Sequence, residues 1–178
     1  KNRMQVVIRA VGYAVICFGI SLSTQSEGAL VKAETVVLEA KKGEWPGTQS
    51  IWQGFERFDF EVDGRPAYVV VPKHKAPGNP WVFRARFPGF HAEADLILLN
   101  RGFHVARINT DGMLGSPNAM RHWDKFYLFL TKRGLAKRCA LEGVSRGGLF
   151  VYGFAHLWPE RVSCIYCDTP VCDLSSWP

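Results

Sequence analysis

The order of apolar and polar segments in this 178-residue sequence predicts an α/β fold with a mostly parallel sheet. Near the N-terminal side, two apolar segments joined by Asp63-Gly64 predict an antiparallel hairpin, because this dipeptide suits a two-residue turn. Beyond the hairpin, strand patterns alternate with helix patterns. A strand that follows a crossover helix runs parallel to the strand before it. We therefore expect an antiparallel N-terminal edge, parallel strands beside it and helices on both faces of the sheet.

The predicted strands are short apolar runs bounded by turn residues. The first alternates apolar with charged residues, as a half-buried strand does, and the second is apolar until Pro72 stops it. The predicted strands cover residues 55–62, 67–71, 81–87, 103–108, 138–143 and 161–167.

Helices are predicted between the later strands, where apolar residues recur at spacings of three and four. The second helix has an aromatic stripe that includes Trp123 and Phe126, which we interpret as a core face. Gly134 ends this helix, and Pro159 ends the third. The predicted helices cover residues 92–100, 118–132 and about 146–157.

Residues 1–33 have the pattern of an export signal. Basic residues precede the apolar run 10–22, and Val31-Lys32-Ala33 offers the small residues that signal peptidase needs before Glu34. The run of about 13 residues is shorter than the ~20 that span a bilayer, which favours a cleaved signal over an uncleaved anchor. We expect a secreted or periplasmic protein without a stable membrane span, an irregular lead-in at 34–54 and a folded domain at 55–178.

Charge and cysteine usage narrow the classes of partner. The net charge is +6, but the basic residues are scattered in runs no longer than two, so we expect no nucleic-acid partner. Loss of Cys17 with the signal leaves four cysteines, and both buried thiols and a disulfide involving Cys172 stay open. Cys164 and Cys167 lack a second ligand pair, so we expect no metal site and no cofactor.

Arg84 and Arg86 lie on one face of the predicted strand 81–87. A charged side chain inside a parallel sheet needs a partner, because burying an unpaired charge costs several kcal/mol or more. A structural ion pair with a carboxylate is the favoured interpretation. The alternative is that Arg86, nearer the carboxyl end of the strand, binds substrate.

The segment Gly143-Val144-Ser145-Arg146-Gly147 has the form Gly-x-Ser-x-Gly and joins a predicted strand to a predicted helix. A strand, a tight turn and a helix form the nucleophile elbow of serine hydrolases, which raises the serine hydroxyl above the sheet edge. The pentapeptide alone occurs by chance in many chains. Its place between a strand and a helix favours a nucleophilic Ser145.

From about residue 55 to residue 170 the sequence resembles the α/β-hydrolase superfamily, nearest to secreted esterases and prolyl-oligopeptidase-like enzymes. The elbow follows the fifth predicted strand and a Pro-Gly turn follows the third, as in that fold. The residues that carry the resemblance are Gly143-Val144-Ser145-Arg146-Gly147-Gly148, Ala155 and Pro159-Glu160-Arg161-Val162.

The resemblance implies a serine hydrolase that cleaves an ester or peptide bond of a small-molecule or peptide substrate through an acyl-enzyme on Ser145. It also implies two backbone donors for the oxyanion, the N–H of Arg146 and an N–H after the third strand, for which we select Phe90. The sequence of this turn differs from the His-Gly-Gly motif that many relatives have.

The triad acid and base are harder to find. In such enzymes the order is serine, acid, histidine, yet none of the five histidines follows the elbow far enough: His74, His91, His104, His122 and His156. His156 lies about 16 Å along the helix from Ser145, at 1.5 Å per residue. Asp168 is a fallback acid.

We therefore expect a domain that is incomplete at its C-terminus, cut after the sixth strand, with the acid and histidine beyond Pro178. This 178-residue chain would then be inactive and poorly soluble because of an exposed sheet edge. The main alternative is a non-catalytic α/β-hydrolase-like binding protein that keeps the elbow as scaffold. An exported carbohydrate-binding module is a more distant alternative.

Overall fold

The computed structural model describes residues 44–175, and its strands form one seven-stranded sheet in the order β1-β2-β3-β5-β4-β6-β7. The predicted signal at 1–33 lies outside the described residues. The strands are β1 (Thr48–Trp52), β2 (Phe55–Val62), β3 (Arg65–Val71), β4 (Trp81–Arg84), β5 (His104–Ile108), β6 (Cys139–Val144) and β7 (Val162–Asp168).

The strand directions confirm the predicted α/β class. The first three strands and the junction of β3 with β5 are antiparallel, whereas β5, β4, β6 and β7 pair in parallel. Because parallel strands have their carboxyl ends at one edge, the turns after β4, β6 and β7 meet there. This edge carries the Gly-x-Ser-x-Gly turn.

The prediction of an irregular lead-in at 34–54 is wrong for β1. Four of its five residues are exposed, so the strand has no alternating apolar pattern to reveal it. Backbone pairing with β2 holds it, from Trp52 opposite Phe55 onwards. Gln53 and Gly54 both have positive φ, 50° and 81°, which is the geometry of a two-residue hairpin turn.

Strand β4 is shorter than the predicted 81–87 and ends at Arg84. The backbone then leaves the sheet at a bend in which Arg86 and Phe87 have φ of 32° and 46°. Non-glycine residues seldom adopt this left-handed region. The bend separates Arg84 and Arg86, which the sequence places on one strand face.

Helices pack on both faces of the sheet, as predicted. Helix α1 (Glu93–Asn100) covers one face, where Leu99 packs with Val82 and Val105. Helices α2 (Pro117–Lys132) and α3 (Gly147–Leu157) cover the other. Ser116 caps α2, because its Oγ accepts a 3.3 Å hydrogen bond from the Ala119 amide.

The aromatic stripe of α2 is a core face, as the periodicity indicates. The Phe83 ring of β4 stacks on Trp123 with centroids 3.9 Å apart. Phe126 and Phe154 meet the same ring edge-on at 5.5 and 5.7 Å. This packing ties α2 and α3 to the central strand and so fixes the helix that follows the elbow.

The edges of the described sheet differ in character. β1 is a polar edge, whereas β7 is the outermost strand on the other side and leaves Ile165 and Tyr166 exposed. Over residues 44–175, no helix combines the length and apolarity that a membrane crossing requires. In the same range no cluster of three or more His, Cys, Asp or Glu side chains could hold a metal ion.

A salt bridge joins the β2–β3 turn to α2 and supplies a pH-dependent contribution to stability. Asp63 Oδ2 lies 2.8 Å from His122 Nδ1, and Asp63 Oδ1 lies 2.5 Å from Lys125 Nζ. The hydrogen bond from Lys125 is the main reason why the pKa of Asp63 falls below its usual value.

We expect the Asp63→Asn variant to lose about 0.5 kcal/mol of unfolding free energy at pH 7, since the pair is partly exposed. A carboxylate with a lowered pKa stabilises the fold above its unfolded pKa, near 3.9, and this contribution disappears as pH falls through its lower folded pKa. Urea unfolding of both proteins at pH 7 and pH 3 measures the difference. Asparagine also tolerates the positive φ of this turn, so the substitution mainly removes the charge. An equal loss of unfolding free energy at both pH values therefore contradicts an ionic origin.

The four described cysteines are free thiols with different accessibility. Cys139 is fully buried, and burial raises the pKa of its thiol to about 12. Cys164 and Cys172 are exposed. Because the thiolate is the reactive form, we expect iodoacetamide at pH 8 to alkylate the two exposed cysteines and leave Cys139 unmodified. Peptide mass spectrometry measures this, and alkylation of Cys139 at the rate of Cys164 contradicts it.

Candidate active site

The Gly-x-Ser-x-Gly turn forms a sharp corner between β6 and α3. Strand β6 ends at Val144, Ser145 has φ of 50°, and α3 begins at Gly147. A serine in the left-handed region costs of order 1–3 kcal/mol and persists only where its surroundings hold it. The strained serine at a strand-to-helix turn is the geometry of a nucleophile elbow.

The glycines around Ser145 are constrained to different degrees. A Cβ on Gly143 would lie 2.8 Å from Val151 Cγ2 and 3.0 Å from the Gly147 carbonyl carbon, so no side chain fits. A Cβ on Gly147 would lie 3.4 Å from Ala85 Cβ, an ordinary contact, so Gly147 has more room than Gly143. Gly148, the last residue of the motif that carries the resemblance, allows the segment after β7 to cross α3, because its Cβ would lie 2.6 Å from Val171 O.

The end of β7 and the segment that follows it hold the backbone of Ser145 from both sides. The Ser145 amide donates to Asp168 O at 3.0 Å, and the Val171 amide donates to Ser145 O at 2.8 Å. The Gly148 amide donates to the same carbonyl at 3.0 Å. These bonds fix the left-handed serine between two secondary-structure elements. They also place Asp168, the fallback acid, at the adjacent strand end.

Arg146 is the N-cap residue of α3, with φ of −59° and ψ of −9°. Its amide therefore belongs to the first turn of the helix, where unsatisfied N–H groups and the helix dipole favour negative charge. Its guanidinium lies 5.8 Å from the centre of the Phe87 ring. The elbow and the turn after β4 are thus neighbours.

The amide of Phe90, the predicted second oxyanion donor, has a partner inside the turn after β4. The Phe90 amide donates to Phe87 O at 3.1 Å, so the turn itself uses this donor. No backbone carbonyl within residues 44–175 accepts from the Phe87 amide. Phe87 follows the bend at Arg86, and its ring lies against the Arg146 guanidinium. Sequence reasoning missed Phe87 because the predicted strand continued through it.

Arg84 confirms the predicted structural ion pair. Its side chain is 1% exposed, and Nη1 lies 2.8 Å from Asp95 Oδ2 on α1 and bonds Glu142 Oε1 on β6. Its Nη2 donates to Phe87 O at 3.3 Å and to Phe90 O. One buried guanidinium therefore connects β4, α1, the elbow strand and the turn.

The Arg84 cluster holds two carboxyl groups against one cation. Burial, followed by the neighbouring Asp95 carboxylate, raises the pKa of Glu142 to about 8. Burial also raises the pKa of Asp95, against the effect of Arg84. A protonated Glu142 at neutral pH leaves one negative and one positive charge, which is the balanced state for a buried site.

Arg86 lies beyond the strand and is half-buried. Its Nη1 donates to the Asp111 carbonyl on the loop after β5, and its guanidinium lies 5.0 Å from the Phe87 ring centre. Within the described residues, the Arg86 side chain connects the turn after β4 to the loop after β5 at the carboxyl edge of the sheet. Substrate binding by Arg86 stays a prediction.

Solved structures share this architecture. A cold-adapted esterase from an Arctic intertidal metagenomic library superposes with a TM-score of 0.55 at 15% identity, over 70% of this chain and 64% of that one. Oligopeptidase B from Trypanosoma brucei gives 0.54 at 18% identity, over 67% and 21% of the two chains. Francisella virulence factor BioJ gives 0.51 at 16% identity, over 67% and 45%.

The chain has the α/β-hydrolase fold. The strand order and the strand-to-helix elbow agree with this assignment. The chain spans 64% of the esterase and smaller shares of the other two structures. No family model matches the sequence, and no curated protein matches it either. The fold therefore stands on the three-dimensional comparison.

The histidines of this α/β-hydrolase fold are either buried or exposed on the surface. His104 opens β5 at the opposite edge of the sheet and is buried, which lowers the pKa of its imidazole to about 4. His122 pairs with Asp63. The remaining three are exposed: His74, His91 and His156. Among the described residues, none forms a hydrogen bond with the Ser145 hydroxyl.

A cavity of about 240 Å³ opens in this α/β-hydrolase fold beside Pro88 and Gly89. Its arginines have acidic partners, because Arg57 lies 2.6 Å from Asp59 and Arg107 lies 2.7 Å from Asp111. The cavity therefore has balanced charge and gives no preference for an anionic ligand.

Proposed function

We propose that this protein is a serine hydrolase that cleaves an ester or peptide bond through an acyl-enzyme on Ser145. The observation that carries the proposal is the strained, left-handed Ser145 at the turn from β6 into α3. Strained residues of this kind concentrate at functional sites, where the surroundings hold them in place. The bonds from Gly148 and Val171 to its carbonyl supply that support.

The proposed reaction begins with attack of Ser145 Oγ on the substrate carbonyl carbon. A base takes the hydroxyl proton, and the carbonyl oxygen becomes an oxyanion. We assign its stabilisation to the amides of Arg146 and Phe87 rather than to that of Phe90, because the Phe90 amide donates to Phe87 O inside the turn. Each such donor contributes about 2.7–4 kcal/mol to transition-state stabilisation. Collapse of the tetrahedral intermediate expels the leaving group, and water later hydrolyses the acyl-enzyme.

The proposed base and its acid lie outside the described residues, with Asp168 as the nearest alternative for the acid. This part of the proposal rests on the lack of a bond between Ser145 and any histidine within residues 44–175. Without a base, serine is a poor nucleophile. The 178-residue chain alone is therefore expected to show no turnover of activated esters. Robust turnover by this chain contradicts our placement of the base.

The substrate class is proposed at the level that the comparisons support. One similar structure is named an esterase and another an oligopeptidase. Both reactions proceed through acyl transfer to a serine when a triad is present. A small-molecule ester and a peptide are therefore the two candidate substrates.

We also propose that residues 1–33 direct export of the protein. N-terminal sequencing of the mature protein tests this, and Glu34 is the expected first residue.

Labelling with a fluorophosphonate probe tests the proposed nucleophile. The full-length protein is treated with the probe, digested and analysed by peptide mass spectrometry. We expect the label on the peptide that contains Ser145 and none in the Ser145→Ala variant. Equal labelling of both proteins rules out this assignment.

The second candidate is a non-catalytic binding protein, which the absence of a histidine partner for Ser145 within residues 44–175 favours. In that case the elbow is only a scaffold. A folded full-length protein that resists the probe but binds a ligand supports this candidate. Binding of sugars in a screen, again without labelling, supports the carbohydrate-binding alternative.

A further inference from the structure

The turn that follows β4 holds an unusual backbone. Within the segment from Arg86 to His91, three non-glycine residues have positive φ: Arg86, Phe87 and His91. Non-glycine residues seldom adopt this region, and they persist there only where other contacts determine their conformation. Within residues 86–91 there is one backbone hydrogen bond, which the Phe90 amide donates to Phe87 O. The turn therefore depends on groups outside it.

Arg84 supplies those contacts from inside the fold. Its Nη2 donates to the carbonyls of both Phe87 and Phe90, the two ends of the turn. Its Nη1 is held by Asp95 and Glu142. The planar guanidinium can make both sets of bonds at once because its N–H donors have fixed directions. Removal of this group frees the Phe90 carbonyl and leaves two buried carboxyl groups without a cation.

We propose that Arg84 is a positioning residue that holds the turn after β4 in the conformation needed for oxyanion binding, with Asp95 and Glu142 orienting its guanidinium. This inference rests on the proposed serine hydrolase function. Glu142 lies three residues before Ser145 on the elbow strand. One buried cluster thus sets the distance between the elbow and the turn. Arg84 itself need not touch the substrate, since its bonds to the turn run through backbone carbonyls.

The experiment compares the Arg84→Lys variant with the wild type, both as the full-length protein. Lysine keeps a positive charge beside the two acids but lacks the second donor arm. The expected result is a kcat about 10²-fold lower with KM changed less than about threefold, because the misplaced donor acts on the transition state. Hydrogen–deuterium exchange is expected to be about tenfold faster at residues 86–91 and unchanged in β6 and α3. Arg161→Lys, whose arginine pairs with Asp124 away from the turn, is the control with wild-type values.

A second variant removes the cluster without leaving a buried charge. Arg84→Met combined with Asp95→Asn and Glu142→Gln is expected to fold, since neutral groups of similar size replace a buried ion network at little cost. The expected result is the same loss of kcat and the same faster exchange of the turn. Wild-type kcat or wild-type exchange in a folded variant overturns the inference. If the wild-type protein has no hydrolytic activity, the proposed function fails, and the exchange of residues 86–91 alone decides whether Arg84 holds the turn.

Discussion

The Ser145→Ala variant of the full-length protein is expected to lose at least about 10⁴-fold in kcat on an activated ester, with its fold intact. The reason is that the hydroxyl is the only group in our account that forms a bond to the substrate, and removal of a serine nucleophile costs about this much or more. The variant keeps the Gly148 and Val171 hydrogen bonds, since both are made to the backbone. Steady-state kinetics and far-ultraviolet circular dichroism measure the two effects.

The Ser145→Gly variant is the matched control for strain. It also lacks the nucleophile, but glycine adopts φ near 50° without steric cost. We expect it to be as inactive as Ser145→Ala and more stable by about 1 kcal/mol in urea unfolding. Activity within tenfold of wild type in either variant contradicts the role of Ser145. Equal stability of the two variants contradicts the presence of backbone strain.

The Gly143→Ala variant is expected to lose about 1–3 kcal/mol of stability and most of its reactivity with a fluorophosphonate probe. The new Cβ would lie 2.8 Å from Val151 Cγ2 and 3.0 Å from the Gly147 carbonyl carbon. Overpacking of a dense core costs this much, because β6 and α3 must move apart. That movement carries Ser145 away from the turn after β4. Urea unfolding and the second-order labelling rate constant measure the two losses.

Gly147→Ala is the control, because it adds the same methyl group two residues beyond the serine, where the nearest atom is Ala85 Cβ at 3.4 Å. Alanine also has the higher helix propensity at the start of α3. We expect a change of less than about 0.5 kcal/mol in unfolding free energy. An equal loss of unfolding free energy in Gly147→Ala and Gly143→Ala shows that the clash with Val151 does not cause the loss in Gly143→Ala.

Much of the fold follows from local pattern. The alternation in β2, the Asp63-Gly64 turn and the aromatic stripe of α2 all identify their elements, because burial of one face imposes a period on the sequence. The hydrophobic pattern does not reveal β1, because its side chains are mostly exposed and pairing of its backbone with β2 holds the strand in place. An edge strand of this kind leaves no hydrophobic signal.

The site was predictable only in part. The Gly-x-Ser-x-Gly motif predicts a strand-to-helix turn at Ser145, and the structure has that turn. The choice between Phe87 and Phe90 depends on where β4 ends, and strand ends have no sharp sequence signal. The buried position of Arg84 was predictable as an ion pair, but its partners Asp95 and Glu142 come from another helix and strand. Tertiary structure alone brings those three together.

The central claim is that a covalent acyl group forms on Ser145, and rapid-quench mass spectrometry of the full-length protein tests it most directly. The protein is mixed with an activated ester, quenched during the first turnover and digested. The account predicts an added acyl mass on the peptide that contains Ser145, which disappears in Ser145→Ala. Ester turnover with the acyl mass on another residue, or with undiminished rate in Ser145→Ala, contradicts it.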